Sequence, residues 1–586
     1  MKIKHYFGLA VIAAMTASCS SNEDLGTAGP GTGTNEAGVG YATFSINLPT
    51  TSGTRAASNP DFDHGSDYEY KVNDATLLIF KQGKATKEGD YTFVESAELG
   101  SMAPWKDPSE TGVTTHAKIT AKLEHVDKTD GYYALVLLNN GTGTNTKVAL
   151  PTTPTTEGEG MKFSDWNAVA NAKAKDIANY TNGFYMANAP LFKDNKVTTL
   201  VAIDQNKIYP TEEQAAKSAA TDVYVERGLA KVTLKTGTAA GMTDDNYTVT
   251  GVTYQGDKVK ISNWALDVTN TKTFPIHNVD GLSDDYTNIW TNTDSPAGSN
   301  GANTQRFVDN NKDTKAKRVY WGKDPNYDNT DLCDTKDADK KALKAEFNYV
   351  ANEDVTAKPN TSLYCLENTF NLANMMQGQT TRVVFKAKYI PNGIAENTNF
   401  YKIGKNTAIW NEDNLVKEIK AAVASVVSGA AGKTTVTLKA EGNDITAAGT
   451  HYITADNITV TDVTAETIEK AITAINTQLG LNESKKVGIS TYAGGESYYI
   501  ARIKHFGDAL TKWESGTYGE NNLEYLGRYG VLRNNWYELT VQSVSGPGYP
   551  SVPEVKPNTP DDEDDNYINV SVKILDWAKR SQDVNL

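Results

Sequence analysis

The sequence has little of what metal chemistry, catalysis or nucleic acid would demand. It holds only three cysteines, Cys19, Cys333 and Cys365, so no disulfide framework can carry the fold. Its seven histidines (5, 64, 116, 125, 277, 451 and 505) lie far apart and form no ligand pair at helical or strand spacing. No His-Glu-x-x-His, P-loop or nucleophile-elbow pattern occurs. Asp309-Asn310-Asn311-Lys312-Asp313 begins like a calcium loop, but Thr314 replaces the glycine and Tyr320 the closing glutamate. The expectation is therefore no metal, no cofactor and no catalysis. With 57 Lys and Arg against 72 Asp and Glu, the net charge of -15 argues against nucleic acid, whose binders need a basic face. The apolar run from Phe7 to Ala14 is too short to span a bilayer as a helix.

What is present points to strands. Hydrophobic residues make up 39% of the chain, and 46 glycines and 30 tyrosines accompany many Thr and Asn. That is a profile of short strands and polar turns, as in all-β sandwiches. At 586 residues the chain is long enough for two or more domains. The many Tyr and Trp could line a glycan surface, but on strands they more often pack in the core or across strands.

The two ends carry interchangeable strands. Near the start, Ala42, Phe44, Ile46 and Leu48 alternate with polar residues; near the end, Ile568, Val570, Val572 and Ile574 do the same. Each pattern reads as a strand with one face in a core. The first is followed by Pro49 and a Thr/Ser/Gly run whose single basic residue is Arg55. That is the kind of exposed small-residue segment where proteases cut. The second follows a tether with Pro547, Pro550, Pro553, Pro557 and Pro560, then Asp561-Asp562-Glu563-Asp564-Asp565, expected to extend by self-repulsion. A cut at Arg55-Ala56 would release the first strand and leave a groove that the last strand of another copy can fill. Leu575 and Trp577 break the alternation, so the tail is expected to bend there and anchor in a pocket. The alternative is a last strand paired within its own domain.

The N-terminus reads as an export address. Lys2 and Lys4 precede the apolar run, and Thr16-Ala17-Ser18 precede Cys19. This pattern is a secretory signal with a lipobox-like end, although Thr16 stands where such boxes usually carry Leu. Lipidation at Cys19 would tether the precursor to a membrane; the alternative is ordinary signal cleavage with an incidental cysteine. Cys333 and Cys365 could pair in an oxidising exterior, for about 3 to 4 kcal/mol in the chain-entropy model, or remain as buried thiols. Spacing decides neither.

Along the chain, strands are expected at Asp74–Phe80, Tyr132–Leu138, Val223–Leu234 with a bulge near Gly228, Tyr247–Tyr254, Val259–Val268, Arg382–Tyr389, Tyr498–Lys504 and Trp536–Val544. Helical spacing marks 163–180, 414–423 and 463–479 as insertions, and 278–345 reads as long polar surface loops.

Several of these segments carry a resemblance. Tyr364-Cys365-Leu366-Glu367-Asn368-Thr369 followed by Arg382-Val383-Val384-Phe385-Lys386-Ala387-Lys388-Tyr389 resembles the middle of the Bacteroidales fimbrillins. So does Arg533-Asn534-Asn535-Trp536-Tyr537-Glu538-Leu539-Thr540-Val541, while Phe184-Tyr185-Met186 and Val225-Glu226-Arg227-Gly228-Leu229-Ala230-Lys231-Val232 are similar to motifs of their N-terminal domains. The tail, with Trp577 and the ending Val584-Asn585-Leu586, resembles that of the Mfa-type shaft fimbrillin of type V pili. The order and joint presence of these motifs carry the likeness; the loops at 278–345 and 424–460 match nothing in it.

The resemblance implies two transthyretin-like β-sandwich domains with small helical insertions. Residues 1–18 would be the lipoprotein signal, 19–55 a propeptide with the removable strand 42–48, 56–235 and 236–545 the two sandwiches, and 546–586 the tether and donor strand. It further implies an outer-membrane lipoprotein precursor, cut after Arg55 by an Arg-specific extracellular protease and polymerised head to tail by strand exchange. Minor tip and anchor fimbrillins, and host or bacterial surface ligands, would be the remaining partners, in adhesion and biofilm formation. Rival readings are a tip subunit, which needs no donor tail, an uncut anchor subunit, and a monomeric surface lipoprotein that binds glycan or host protein.

Overall fold

The computed structural model describes residues 33–47, 66–99, 116–126, 130–152, 160–168, 174–193, 196–218, 220–235, 242–243, 246–282, 307, 317–333, 341–506, 511, 525–562 and 568–575. They are mostly strands, in several sheets, with few helices.

The first sheet contains β1 (Gly40–Asn47), β2 (Ala75–Lys81), β3 (Thr92–Glu98), β4 (His116–Leu123), β5 (Tyr132–Leu138), β6 (Met186–Asn188) and β7 (Thr221–Arg227). Their order is β3-β2-β5-β6-β7-β1-β4, with Val201–Ala202 added beside β5. β2 and β5 carry continuous apolar runs because both of their faces are covered, and Leu77, Leu78, Ile79, Leu135, Val136 and Leu137 are all fully buried. β1 sits inside this sheet, not at its edge.

The chain then leaves for a second layer through β8 (Ala230–Lys235), β9 (Asn246–Thr248), β10 (Lys258–Asp267), β11 (Ser362–Cys365), β12 (Arg382–Ile390), β13 (Glu496–Arg502), β14 (Trp536–Val544) and β15 (Ile568–Leu575). One sheet runs β11-β8-β14-β15; the other runs β9-β10-β12-β13, with Met242–Thr243 beyond β9. Trp264, Phe385, Tyr389, Tyr499, Tyr537 and Val541 share a core with Val232 and Leu234 of β8.

Two expectations are corrected here. Val223–Leu234 is not one bulged strand: β7 belongs to the first sheet and β8 to the second, and Gly228-Leu229 is the crossing between them. A Cβ on Gly228 would lie 3.1 Å from the Tyr185 ring and 3.2 Å from Ile177, so a side chain at the crossing would press its neighbours aside by a few tenths of an ångström. The strand expected over 247–254 stops at Thr248 and gives way to a turn at Val252–Tyr254, where Thr250 N–H bonds the Val544 carbonyl.

The described α-helices include α1 (Asp67–Tyr70), α2 (Phe163–Asn167), α3 (Ala174–Ala178), α4 (Glu212–Ala216), α5 (Glu412–Val426) and α6 (Ala465–Gln478), besides a short one at Lys341–Glu346. α5 starts at the Asn411 cap, whose side chain accepts from Asn414 N–H at 2.9 Å, and buries Leu415, Ile419, Ala422 and Val423 on one stripe. With α6 and short strands between residues 400 and 492 it encloses a core of its own, including Tyr401, Ile445, Ile475 and Ile489.

The segment 278–345 was expected on the surface, yet its described part includes buried Val319, Trp321, Asp324 and Asn326. Trp321 packs against Phe506 and His505. The Asp324 carboxylate accepts from the N–H groups of Asn326 at 2.6 Å and Thr369 at 2.7 Å, and from Asn270 Nδ2 at 2.7 Å. Burial pushes its pKa up to about 7 against the pull of these donors. The unfolded carboxyl titrates near 4, so the folded chain binds the extra proton between about pH 4 and 7 and loses stability as pH rises through that window. The melting temperature should accordingly fall between pH 5 and pH 8; a rise across that range would contradict this.

Candidate functional site

β1 fills a slot between two strands that do not touch each other. It pairs parallel with β7 (Phe44 opposite Thr221, Asn47 opposite Tyr224) and antiparallel with β4 (Ala42 opposite Ala121, Asn47 opposite His116). Ala42, Phe44 and Ile46 are fully buried in the first core. The outer face is partly covered as well. Thr43 is 3% and Ser45 6% exposed, and α4 packs against this strand, with Ala215 on Thr43. Thr43 Oγ1 donates to the Ala215 carbonyl at 2.7 Å and lies 2.9 Å from Thr120 Oγ1. Upstream, Tyr41 exchanges both backbone hydrogen bonds with Tyr209. Removing β1 would leave two open ladders facing each other and a row of empty apolar sites.

Leu48, Arg55 and Ala56 lie outside the described residues, as do Cys19 and Trp577. The chain is fixed on both sides of the Arg55 region, at Asn47 and again at Ser66.

That second fixed point is a buried cluster with no local signature in the sequence. Glu69 of α1 is fully buried and pairs with Lys231 Nζ at 2.8 Å. It also accepts from the Tyr364 hydroxyl, and its backbone carbonyl accepts from Arg227 Nε at 2.8 Å. Lys231 in turn sits 3.7 Å over the Trp536 ring. Burial, reinforced by the Glu69 charge, holds the Tyr364 hydroxyl well above its ordinary pKa. The cluster ties α1, β7, β8, β11 and β14 together, and several of its members belong to the motifs singled out above. The Arg533-Asn534-Asn535 motif closes the same joint: Asn534, at φ 59°, accepts from Arg227 N–H and donates its own N–H to the Leu229 carbonyl. Asn tolerates that left-handed conformation better than most residues. A short Asp-Tyr-Glu-Tyr helix carries no local signal of such a role.

The tether differs from the expectation. Residues 546–562 are strapped along the second layer by groups that reach their carbonyls. Tyr499, Ser497 and Tyr492 hydroxyls donate to Gly546, Pro547 and Gly548, and Arg382 donates to Pro553. Tyr498 and Tyr549 exchange backbone bonds. Proline lacks an N–H but keeps its carbonyl, so a Pro-rich run suits a surface rich in donors. The first two acidic residues are docked rather than repelling. Asp561 is buried and accepts from Thr380 Oγ1 at 2.9 Å, and Asp562 meets Arg528 Nε at 3.3 Å and the Tyr529 hydroxyl. The remaining acidic residues, 563–565, lie outside the described residues.

Beyond them, the backbone of β15 pairs antiparallel with β14 of its own chain, Leu575 opposite Trp536 and Ile568 opposite Val544. In the single chain the tail is therefore at home, the arrangement weighed as the alternative. The physical reason is simple: β14 otherwise offers an open edge, and the tail is the nearest strand that can cover it. Among the described residues β15 has one strand neighbour where β1 has two.

Cys365 is a free, buried thiol, and burial pushes its pKa up to about 12. The pairing with Cys333 is thus not made here; Cys365 is packed into the second core, where an apolar thiol is at ease. Among the described residues no cluster of three or more His, Cys, Asp or Glu side chains is placed to hold a metal ion. No described helix is long and apolar enough to cross a membrane.

No curated protein sequence matches the chain. Among solved structures, a cell adhesion protein from Parabacteroides distasonis is similar at 11% identity and a TM-score of 0.28, covering 92% of this chain and 99% of that one. A fimbrial assembly protein from the same organism is similar at 11% identity and a TM-score of 0.22, covering 63% of this chain and 93% of that one. Residues 490–583, which hold β13, β14, the strap and β15, match the family model described as the C-terminal part of fimbrillin, the major fimbrial subunit protein type IV. Over this C-terminal region, residues 490–583, the chain is similar to the fimbrillins.

Proposed function

We propose that this fimbrial subunit builds the shaft of a surface fimbria by strand exchange. Its precursor is a lipoprotein held at the outer membrane through Cys19. An Arg-specific protease cuts after Arg55, β1 leaves with the propeptide, and the tail of another copy takes its slot. Two sandwich domains, parting at the Gly228-Leu229 crossing instead of after residue 235, carry the groove, and the tail 546–586 carries the donor. Minor tip and anchor fimbrillins would cap the two ends of the polymer.

The observation that carries this reading is the place of β1. It is a buried central strand whose sequence pattern is repeated in β15, and the only basic residue between Lys4 and Lys71 lies just past it. A plug of this kind leaves a slot shaped for a period-2 strand. Burying Ile568, Val570, Val572 and Ile574 there would contribute about 6 to 10 kcal/mol by apolar transfer, and the ladder bonds about 0.5 to 1.5 kcal/mol net each. β15 gives up one ladder, against β14, and gains two. The strap, ending at Asp562, sets the point from which the donor departs.

The test is limited trypsin digestion of the full chain, followed by N-terminal sequencing and a non-boiled gel. A new N-terminus at Ala56 with a ladder of resistant oligomers is expected, and deletion of residues 568–586 should abolish the ladder. Clean cleavage at Arg55 that leaves a stable monomer would sink the shaft assignment and favour a tip subunit or a stand-alone binding lipoprotein.

A further inference from the structure

We infer that the donor strand enters the groove of the next copy in the direction of β1 itself, parallel to β7, with Ile568 in the place of Ala42, Val570 of Phe44 and Val572 of Ile46. This rests on the strand-exchange reading above and fixes the polarity and register of the joint.

Alternation alone leaves both open, because four apolar residues at every second position fit the slot equally well when reversed. The outer face of the slot breaks the symmetry. At positions 43 and 45 it is closed, with 3% and 6% exposure, whereas Tyr41 and Asn47 are half-buried. The donor strand carries one charge, Lys573. In the forward placement Lys573 takes the position of Asn47, where its ammonium reaches water. Reversed, with Ile574 at position 42, it falls on position 43 under α4. A desolvated ammonium there is strongly disfavoured. The forward placement also puts Asn569 at position 43, where its amide can donate to the Ala215 carbonyl and accept from Thr120 Oγ1. Those are the two groups that Thr43 satisfies in the precursor.

The shifted registers fail for a different reason. Gly40 lies one step before Ala42 on the same face, and a Cβ there would stand 2.7 Å from Ile208 Cγ2. Sliding the forward strand back by two residues sets Ile568 on Gly40 and Lys573 on the closed position 45. Reversed registers that move Lys573 out to position 41 or beyond set Ile574 or Val572 on Gly40. Sliding forward by two residues gives Asn566 the apolar place of Ala42, and sliding the reversed strand the other way gives it to Asp576. One placement alone keeps apolar residues at 42, 44 and 46, nothing bulky of the strand at 40, and the lysine in water.

The experiment uses the full chain cut after Arg55, which removes Cys19 with the propeptide. Two double variants are assembled and oxidised: Asn569→Cys with Thr120→Cys, and Asn569→Cys with His116→Cys. Position 43 faces Thr120 and position 47 faces His116. A reducible covalent ladder from the first pair and none from the second is expected. The opposite pattern, or resistant oligomers with a covalent ladder from neither, overturns the inference. A second readout needs no disulfide geometry. Asn569→Lys should slow oligomer formation at least tenfold while leaving the melting of the uncut precursor unchanged; assembly at the native rate overturns the placement. Failure of strand exchange itself would look different, with oligomers still forming after deletion of residues 568–586.

Discussion

Phe44→Ala should weaken the uncut precursor and, after cleavage at Arg55, speed assembly on the order of 100-fold or more. Cutting the loop does not by itself expel β1. The strand remains hydrogen-bonded to β4 and β7, and its apolar residues remain in the core. Release is therefore a local unfolding event with its own barrier. Phe44 is fully buried at the centre of the plug, and loss of such a side chain costs about 3 to 5 kcal/mol. If release limits assembly, much of that loss appears in the release rate, at tenfold per 1.36 kcal/mol. The measurement is a time course of oligomer formation after a short protease pulse, beside thermal melts of the uncut chain. The uncut variant should melt lower yet stay monomeric, because the covalent link keeps returning the plug to its slot. An unchanged assembly rate, with a lowered melting point, would show that the plug is not what assembly waits for. Oligomers from the uncut variant would show that cleavage is not the gate.

Much of this was legible in the sequence, and the rest was hidden for identifiable reasons. β1, β10, β12 and β14 announce themselves because each carries a period-2 or continuous apolar run bounded by turn residues. α5 and α6 show as amphipathic repeats, but nothing local says that they close a separate core with the strands between them. The place of β1 inside its sheet could not be read, since register and neighbours are long-range facts: Phe44 meets Thr221 across 177 residues and Ile119 across 75. Glu69 sits in a four-residue helix of ordinary composition, and its partners Lys231 and Tyr364 come from distant strands. The strap was misjudged because composition treats Asp561 and Asp562 as charges in water. Whether an acidic residue repels its neighbours or docks depends on what it meets, here Thr380 and Arg528.

Arg533→Ala should be the most damaging single change in the second layer, at a cost of about 3 to 5 kcal/mol. Arg533 is 2% exposed and its partner Glu367 is fully buried. The guanidinium bonds Glu367, and also Thr273 Oγ1 and the Phe274 carbonyl, each at 2.8 Å. It thereby joins the start of β14 to the chain after β10 and after β11. Removing the cation leaves a buried carboxylate without its charge partner, and that orphaned charge, more than the lost attraction, sets the size of the effect. Arg533→Met together with Glu367→Gln removes both charges, so the double variant should recover more than half of the single variant's loss. Urea unfolding followed by tryptophan fluorescence measures both. A single-variant loss below about 1 kcal/mol, in the range of an exposed pair, would mean that the pair is solvated in solution. A double variant as unstable as Arg533→Ala would place the damage in lost packing and backbone contacts, not in the stranded charge of Glu367.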